Sequence, residues 1–208
     1  VHQGGAETLT TGAPLPLKSG GNMPLNVDVP DSPVSRSSML SAPIPDNDEE
    51  RLAALHALLI LDTPPDQRFD RIVEFAAHEF EVPIALISLV DRDRQWFKSR
   101  FGLTACELPR STSFCGHAIL QPGLLIVPDA RVDERFVDNP LVTGEPFIRF
   151  YAGMPLILPS GHAVGTLCLL DRRMRRFDHI DQAILTTLTE LVIKELTEPD
   201  GMHQERQP

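Results

Sequence analysis

Apolar residues recur along the chain with a period that changes from helical to extended and back, and this change orders the elements. Asn47 followed by Glu50 has the spacing of a capping box, and Leu52, Leu55, Leu58 and Leu59 then recur at helical intervals. Asp62-Thr63-Pro64-Pro65 interrupts that helix. Thr63 is placed to cap a second helix, with Pro64 at its first position and Asp66 completing the box. Phe69, Ile72, Val73, Ala76 and Phe80 form one apolar stripe of it, with His78 at the boundary. Pro83 ends the helix, and Ile84 to Val90 is a near-continuous apolar run that reads as a buried strand. After the turn at Asp91-Arg92-Asp93, residues 95–101 alternate. Trp96, Lys98 and Arg100 fall on one face, and Phe97, Ser99 and Phe101 on the other, as in the second strand of a hairpin.

Residues 103–112 are irregular, and a short helix with Ser113 as its cap is expected over Phe114 to Ile119. Leu124 to Val127 reads as a strand, and a long polar loop follows with a turn at Asp138-Asn139-Pro140. Phe150 to Leu158 and Val164 to Leu170 pair as a hairpin around Pro159-Ser160-Gly161-His162. Arg172, Arg173, Arg175 and Arg176 make a basic connector. Asp178 and Asp181 open the last helix with a capping box, and Ile180, Ile184, Leu188, Leu191 and Val192 form its stripe, with Leu185 and Leu196 partly to one side. Two hairpins between terminal helices indicate an α+β fold with an antiparallel sheet and helices packed on one face.

The patterning divides the 208 residues into three parts. Residues 1–45 are Pro/Gly/Ser-rich, hold no aromatic residue and are expected to be a disordered tail. Residues 46–198 form the folded domain, and 199–208 a disordered C-terminus. Val1 stands where a methionine is usual, which is consistent with processing, a fragment, or an internal start such as Met39. A net charge of -10 argues against nucleic-acid partners and against anionic membranes. No apolar run is long enough to span a bilayer and no signal peptide is visible. Three cysteines suggest reduced thiols and a cytoplasmic setting.

The chain from Asn47 to Leu196 resembles a GAF domain, of the kind found at the N-terminus of bacterial sensor kinases and diguanylate cyclases. The resemblance is carried by residues 59–65, Phe69-Asp70-Arg71, residues 83–91 and 94–99, Ser113-Phe114-Cys115-Gly116-His117-Ala118-Ile119, residues 138–142, 150–156 and 165–171. It implies a central antiparallel sheet of five or six strands, with terminal helices on one face and a ligand pocket on the other. The fold is specific in this resemblance and the ligand is not, because one fold hosts many ligands.

Cys106 and Cys115 open an enzymatic alternative. Free methionine-(R)-sulfoxide reductases are GAF proteins with cysteines in similar positions, where one thiolate attacks the sulfoxide and another thiol resolves the sulfenic acid. Here the family's further cysteine of the long loop is missing, since none occurs between Val127 and Gly153. Cys168 lies in a buried strand pattern and reads as an inert core residue. Cys115 and His117 are two apart on a helix and diverge, so neither a Cys–His nucleophile pair nor a metal site is expected. The Cys-His dipeptide of bilin-binding domains and the Asn-Lys-Phe-Asp-Glu signature of cyclic-nucleotide-binding ones do not appear.

The expectation is therefore a non-catalytic sensory or regulatory domain without cofactor, which binds a small molecule or responds to redox state. Its candidate pocket residues are Phe97, Phe114, Cys115, Asp138, Asn139, Phe150, Tyr151 and Thr166. The aromatics could equally be core, and Asp138 and Asn139 could simply cap their turn. The expected partners are an output kinase or cyclase acting in trans and a second copy of the chain. The dimer would form through the terminal helices, because their apolar surface exceeds what one sheet face can bury.

Overall fold

The computed structural model describes residues 39–198. The expected disorder of 199–208 and of most of the tail lies outside the described residues. Five helices and six strands follow in order: α1 (Asp48–Ala57), α2 (Gln67–Glu79), β1 (Ile84–Val90), β2 (Arg94–Phe101), β3 (Glu107–Pro109), α3 (Phe114–Ala118), β4 (Leu125–Val127), α4 (Pro140–Thr143), β5 (Phe150–Ile157), β6 (Ala163–Asp171) and α5 (His179–Thr197). The strands form one antiparallel sheet in the order β3-β2-β1-β6-β5-β4. β3 and α4 arise in stretches whose sequence reads as loop; both are too short to show a period.

The near-continuous apolar run of β1 is explained by its place between β2 and β6, with both faces covered. Ala85, Ile87 and Leu89 join Phe69, Ile72, Ala76, Leu167, Leu169, Leu185 and Val192 in a core beneath α2 and α5. Ile84, Leu86 and Val90 join Phe97, Phe114, Cys115, Tyr151 and Cys168 in a second core on the opposite face, beneath α3 and the 128–149 loop. Helices on one face of the sheet is the architecture that the element order implies, and the second cluster lies on the face where the GAF resemblance expects a pocket.

In β2 the expected alternation breaks. Ile87 pairs with Ser99 and Ser88 with Phe97, so Lys98 is an extra residue, a β-bulge. Phe97 keeps its place on the α3 face. Lys98 lies on the other face with Trp96, as the alternation expects, and donates to Thr63 Oγ1 and Pro64 O at 2.9 Å each, whereas Ser99, expected beside Phe97, turns to that face as well and donates to Asp70 at 2.6 Å. The bulge thus anchors the entry to α2.

Three expected helix starts turn out differently from one another. Asp178 and Asp181 form the capping box of α5 as anticipated. Asn47 makes no side-chain cap for α1. Asp66, not Thr63, caps α2 through the Arg68 N–H, and Thr63 donates to Ile60 O instead. The two prolines sit before that helix rather than in it, because the Thr63 hydroxyl closes the preceding turn.

The stripe on α5 also needs correction. Leu185, Leu188, Val192 and Leu196 face the core, while Ile180 and Leu191 are exposed. Burying each of the core leucines contributes about 1.5–3 kcal/mol. Leu59 lies beyond α1, at φ 50° and exposed to solvent.

At the start of α1, Asp48, Arg51 and Arg110 form a buried ionic cluster. Asp48 accepts from Arg51 Nε at 2.7 Å and from both terminal nitrogens of Arg110 at 2.9 Å. Arg51 Nη1 donates to Val90 O at 2.6 Å, and Arg110 Nη1 to Asp91 O and Arg92 O at 3.3 and 3.2 Å. The cluster ties α1 to the β1–β2 hairpin and to the 3-10 turn, residues 110–112, that leads into α3. Among the described residues no helix is long and apolar enough to cross a membrane.

Candidate functional site

The site is built by α3 lying over β1, β6 and β5. Ser113 starts the helix by accepting from Gly116 N at 2.9 Å, and its hydroxyl also donates to Gln95 Oε1 on β2. This fixes the helix so that Cys115 points at the sheet. His117, two residues on, points elsewhere, stacking edge-on to Phe136 with Nε2 3.1 Å from Leu40 O. Burial pushes its pKa below the ordinary histidine value. The divergence expected from helix geometry is what the fold shows.

Cys115 Sγ lies 3.6 Å from Cys168 Sγ on β6 and 3.4 Å from Tyr151 Oη on β5. The hydroxyls of Ser88 and Thr166, paired neighbours on β1 and β6, are buried without closer partners and face the same sulfur. Burial raises the Cys115 pKa, but the hydrogen bonding of its neighbours, Cys168 first, outweighs it and holds the thiol below its ordinary value. Burial and the neighbouring Cys115 push Cys168 and Tyr151 well above their ordinary values. Phe114 stacks on Phe136 at 4.1 Å and on Tyr151 at 5.2 Å, closing this polar knot from the loop side.

Beside the knot is a cavity of about 30 Å³. Its walls are apolar, including Ile84, Leu86, Leu108, Leu141 and Ile148; Gln95, Tyr151 and the two cysteines supply its polar atoms. A water needs about 10–15 Å³ of such space, so the cavity accommodates a molecule of about two heavy atoms as it stands. A larger ligand requires α3 and the loop to move outward.

Of the eight sequence-derived candidates, Phe97, Phe114, Cys115 and Tyr151 meet in this cluster, and Thr166 joins them through its hydroxyl. Phe150 does not. It sits on the opposite face against Phe177, because neighbours on a strand point to opposite sides and Tyr151 takes the site-facing position. Asn139 caps α4 through Leu141 N and donates to Thr112 O at 2.9 Å, tying the loop to the turn before α3. Asp138 is exposed. Cys106 is also exposed, in a separate groove along the outer edge of β2, so it does not share a cavity with Cys115. Ser88 and Cys168 were not among the candidates. The strand register that brings them under Cys115 is a tertiary property with no local signal.

Gly153 explains how Tyr151 reaches the knot. A Cβ at 153 would stand 2.0 Å from Tyr151 Oη and 2.5 Å from its Cζ, so the ring lies over its own strand only because residue 153 has no side chain. Gly153→Ala is expected to cost about 1–3 kcal/mol and to displace Tyr151. The checks are a lower melting temperature and a changed tyrosine near-ultraviolet circular dichroism signal.

The sequence profile of the GAF domain matches residues 64–196. Over 137 residues the chain is 45% identical to a cyclic di-GMP phosphodiesterase of Pseudomonas aeruginosa, an alignment covering 66% of this chain and 23% of that protein. The expectation of a protein that is not an enzyme is corrected by this match, since the relative is named as an enzyme. Among solved structures, the GAF domain of an Acinetobacter phosphoenolpyruvate-protein phosphotransferase superposes with TM-score 0.52 at 16% identity, covering 71% of this chain and 92% of that one. Free methionine-R-sulfoxide reductase of Neisseria meningitidis superposes with TM-score 0.52 at 19% identity, covering 76% and 94%. These two likenesses show the fold alone. The profile match, over most of the described residues and on the sheet and helices that carry the site, makes the chain a member of the GAF domain family.

Proposed function

We propose that the chain is the sensory module of a cyclic di-GMP phosphodiesterase, acting in the cytoplasm, and that it takes a small, largely apolar ligand between α3 and the sheet. The observation that carries this is the apolar cavity under α3, polar only at Gln95, Tyr151 and the cysteines. The output assignment comes from the 45% identical relative, of which the chain spans 23%. It is a different output from the kinase or cyclase expected from sequence, and binding of either partner in trans would speak against it.

Ligand occupancy would reach the output through α3. Arg110, just before it, is held by Asp48 of α1, and Leu40, ahead of α1, is held by His117. A ligand that displaces α3 therefore acts on both attachments of the N-terminal helix. A ligand shifts this arrangement only by binding one state more tightly than the other. Homodimerisation belongs to the same proposal, with Phe75 of α2 and Leu191 of α5 as the outward apolar positions.

The test is mass spectrometry of small molecules released by acid from the purified chain, followed by re-addition of each. At about 100 times its Kd, a true ligand is expected to raise the melting temperature by about 5–10 °C. Purified chain that releases nothing, and that no small apolar compound stabilises, overturns the ligand reading.

A further inference from the structure

We infer that Cys115 and Cys168 are a redox-active dithiol, which reduces a small hydroperoxide and closes to a disulfide inside the domain. Neither thiol is an ordinary core cysteine. Their sulfurs are 3.6 Å apart, and both line the same cavity. The Tyr151 hydroxyl lies 3.4 Å from the Cys115 sulfur, and the hydroxyls of Ser88 and Thr166, paired across β1 and β6 on the same face of the sheet, are buried without a hydrogen-bond partner. Burying hydroxyls without acceptors is costly. An anionic sulfur, or the oxygen of a sulfenic acid, supplies the acceptor they lack. The cavity of about 30 Å³ has room for about two heavy atoms, which suits hydrogen peroxide and excludes bulky oxidants in this conformation.

The chemistry balances in two steps. The Cys115 sulfur attacks one oxygen of the peroxide, the O–O bond breaks, and the departing hydroxide leaves as water with the proton that the thiol gives up. Sulfur is oxidised by two electrons and the peroxide is reduced. The Cys168 thiol then attacks the Cys115 sulfenic acid, the S–O bond breaks, and its oxygen leaves as a second water with the Cys168 proton. An external dithiol reverses the closure by exchange.

A disulfide requires the sulfurs to approach to about 2.05 Å. Cys168 is fixed in β6, between β1 and β5, whereas α3 has five residues, so the approach falls mainly to α3. α3 touches the segment leading into α1 at two points. His117 meets Leu40 O, and the Gly116 Cα region packs against the Ala42 methyl. Closure thus pulls on residues 40–42. Only this regulatory consequence rests on the sensory reading above; the thiol chemistry does not.

The experiment treats the full chain with hydrogen peroxide, then denatures it and alkylates. Of the three free thiols, one is expected to remain, with a cross-linked peptide joining Cys115 to Cys168 and Cys106 alkylated. Cys106→Ser should give the same cross-link. Cys168→Ser should instead leave a sulfenic acid on Cys115, trapped by dimedone. Cys115 and Cys168 both remaining thiols while Cys106 oxidises, or Cys115 linked to Cys106, overturns the inference. The wild-type cross-link decides it even if Cys168→Ser does not fold. An empty cavity that no ligand fills leaves these thiol counts unchanged, so the two readings fail separately.

Discussion

Replacing Asp48 with alanine is expected to destabilise the domain by about 3–5 kcal/mol, because it leaves the buried guanidinium groups of Arg51 and Arg110 without their shared counter-charge. Arg51 is 2% exposed, so bulk solvent does not reach its guanidinium to replace the lost carboxylate. Urea unfolding measures the loss as a lower midpoint with an unchanged slope. A change under about 1 kcal/mol would mean that the cluster is not the tie between α1 and the hairpin. The same cluster sets an acid dependence. Burial raises the Asp48 pKa, but the hydrogen bonds of Arg110 and Arg51 lower it further, so the folded value lies below the unfolded one. A depressed carboxylate stabilises the fold above its unfolded pKa of about 3.9, and that stabilisation is lost as pH falls through the folded value. Asp48→Asn should therefore be less stable than the wild type at neutral pH and show a flatter loss of stability below about pH 4.

Much of this fold was legible in the residues. The apolar run of β1, the hairpin of β5 and β6 and the capping box of α5 each carry a local signal, and each appears where that signal puts it. The bulge at Lys98 was not legible, since one extra residue leaves the period-two pattern intact on either side and shows only in the pairing. The candidate site was half legible for a related reason. Sequence identifies Cys115 as turned away from His117, because that follows from helix geometry alone. It does not identify Cys168 as its neighbour. A buried strand cysteine reads as core, and only the β1–β6 register sets it beside Ser88 and under α3.

Phe150 and Tyr151 show the same limit from the other side. Both are aromatic and both are buried, so either could line a pocket. The choice between them is a choice of strand face, and residue 153 settles it. Glycine there lets the Tyr151 ring lie back over β5, while Phe150 packs with Phe177 under α5. The cysteine knot depends on that choice, since Tyr151 supplies its phenol donor.

Leu185→Glu and Leu191→Glu should part sharply, although the two positions lie six apart on one helix. Leu185 is 0% exposed in the core beneath the sheet, and a glutamate there is expected to cost at least about 4 kcal/mol and to leave most of the chain unfolded. The sequence pattern sets Leu185 aside from the core stripe and gives its place to Leu191, which makes Leu185 the natural probe of a dimer seam. The packing reverses this: Leu191 is 41% exposed and Leu185 is core. Leu55, in the apolar stripe of the other terminal helix, α1, is also 0% exposed and equally unsuited as a probe of the seam. Leu191→Glu should retain the wild-type circular dichroism spectrum and lose less than about 1 kcal/mol, as surface substitutions do. If the proposed dimer uses the outer face of α5, the variant should shift light scattering from dimer to monomer at micromolar concentration. A wild type that is monomeric at high micromolar concentration sinks the dimer. A Leu185→Glu chain that stays folded would mean that α5 does not pack on the sheet by the face carrying Leu188 and Val192.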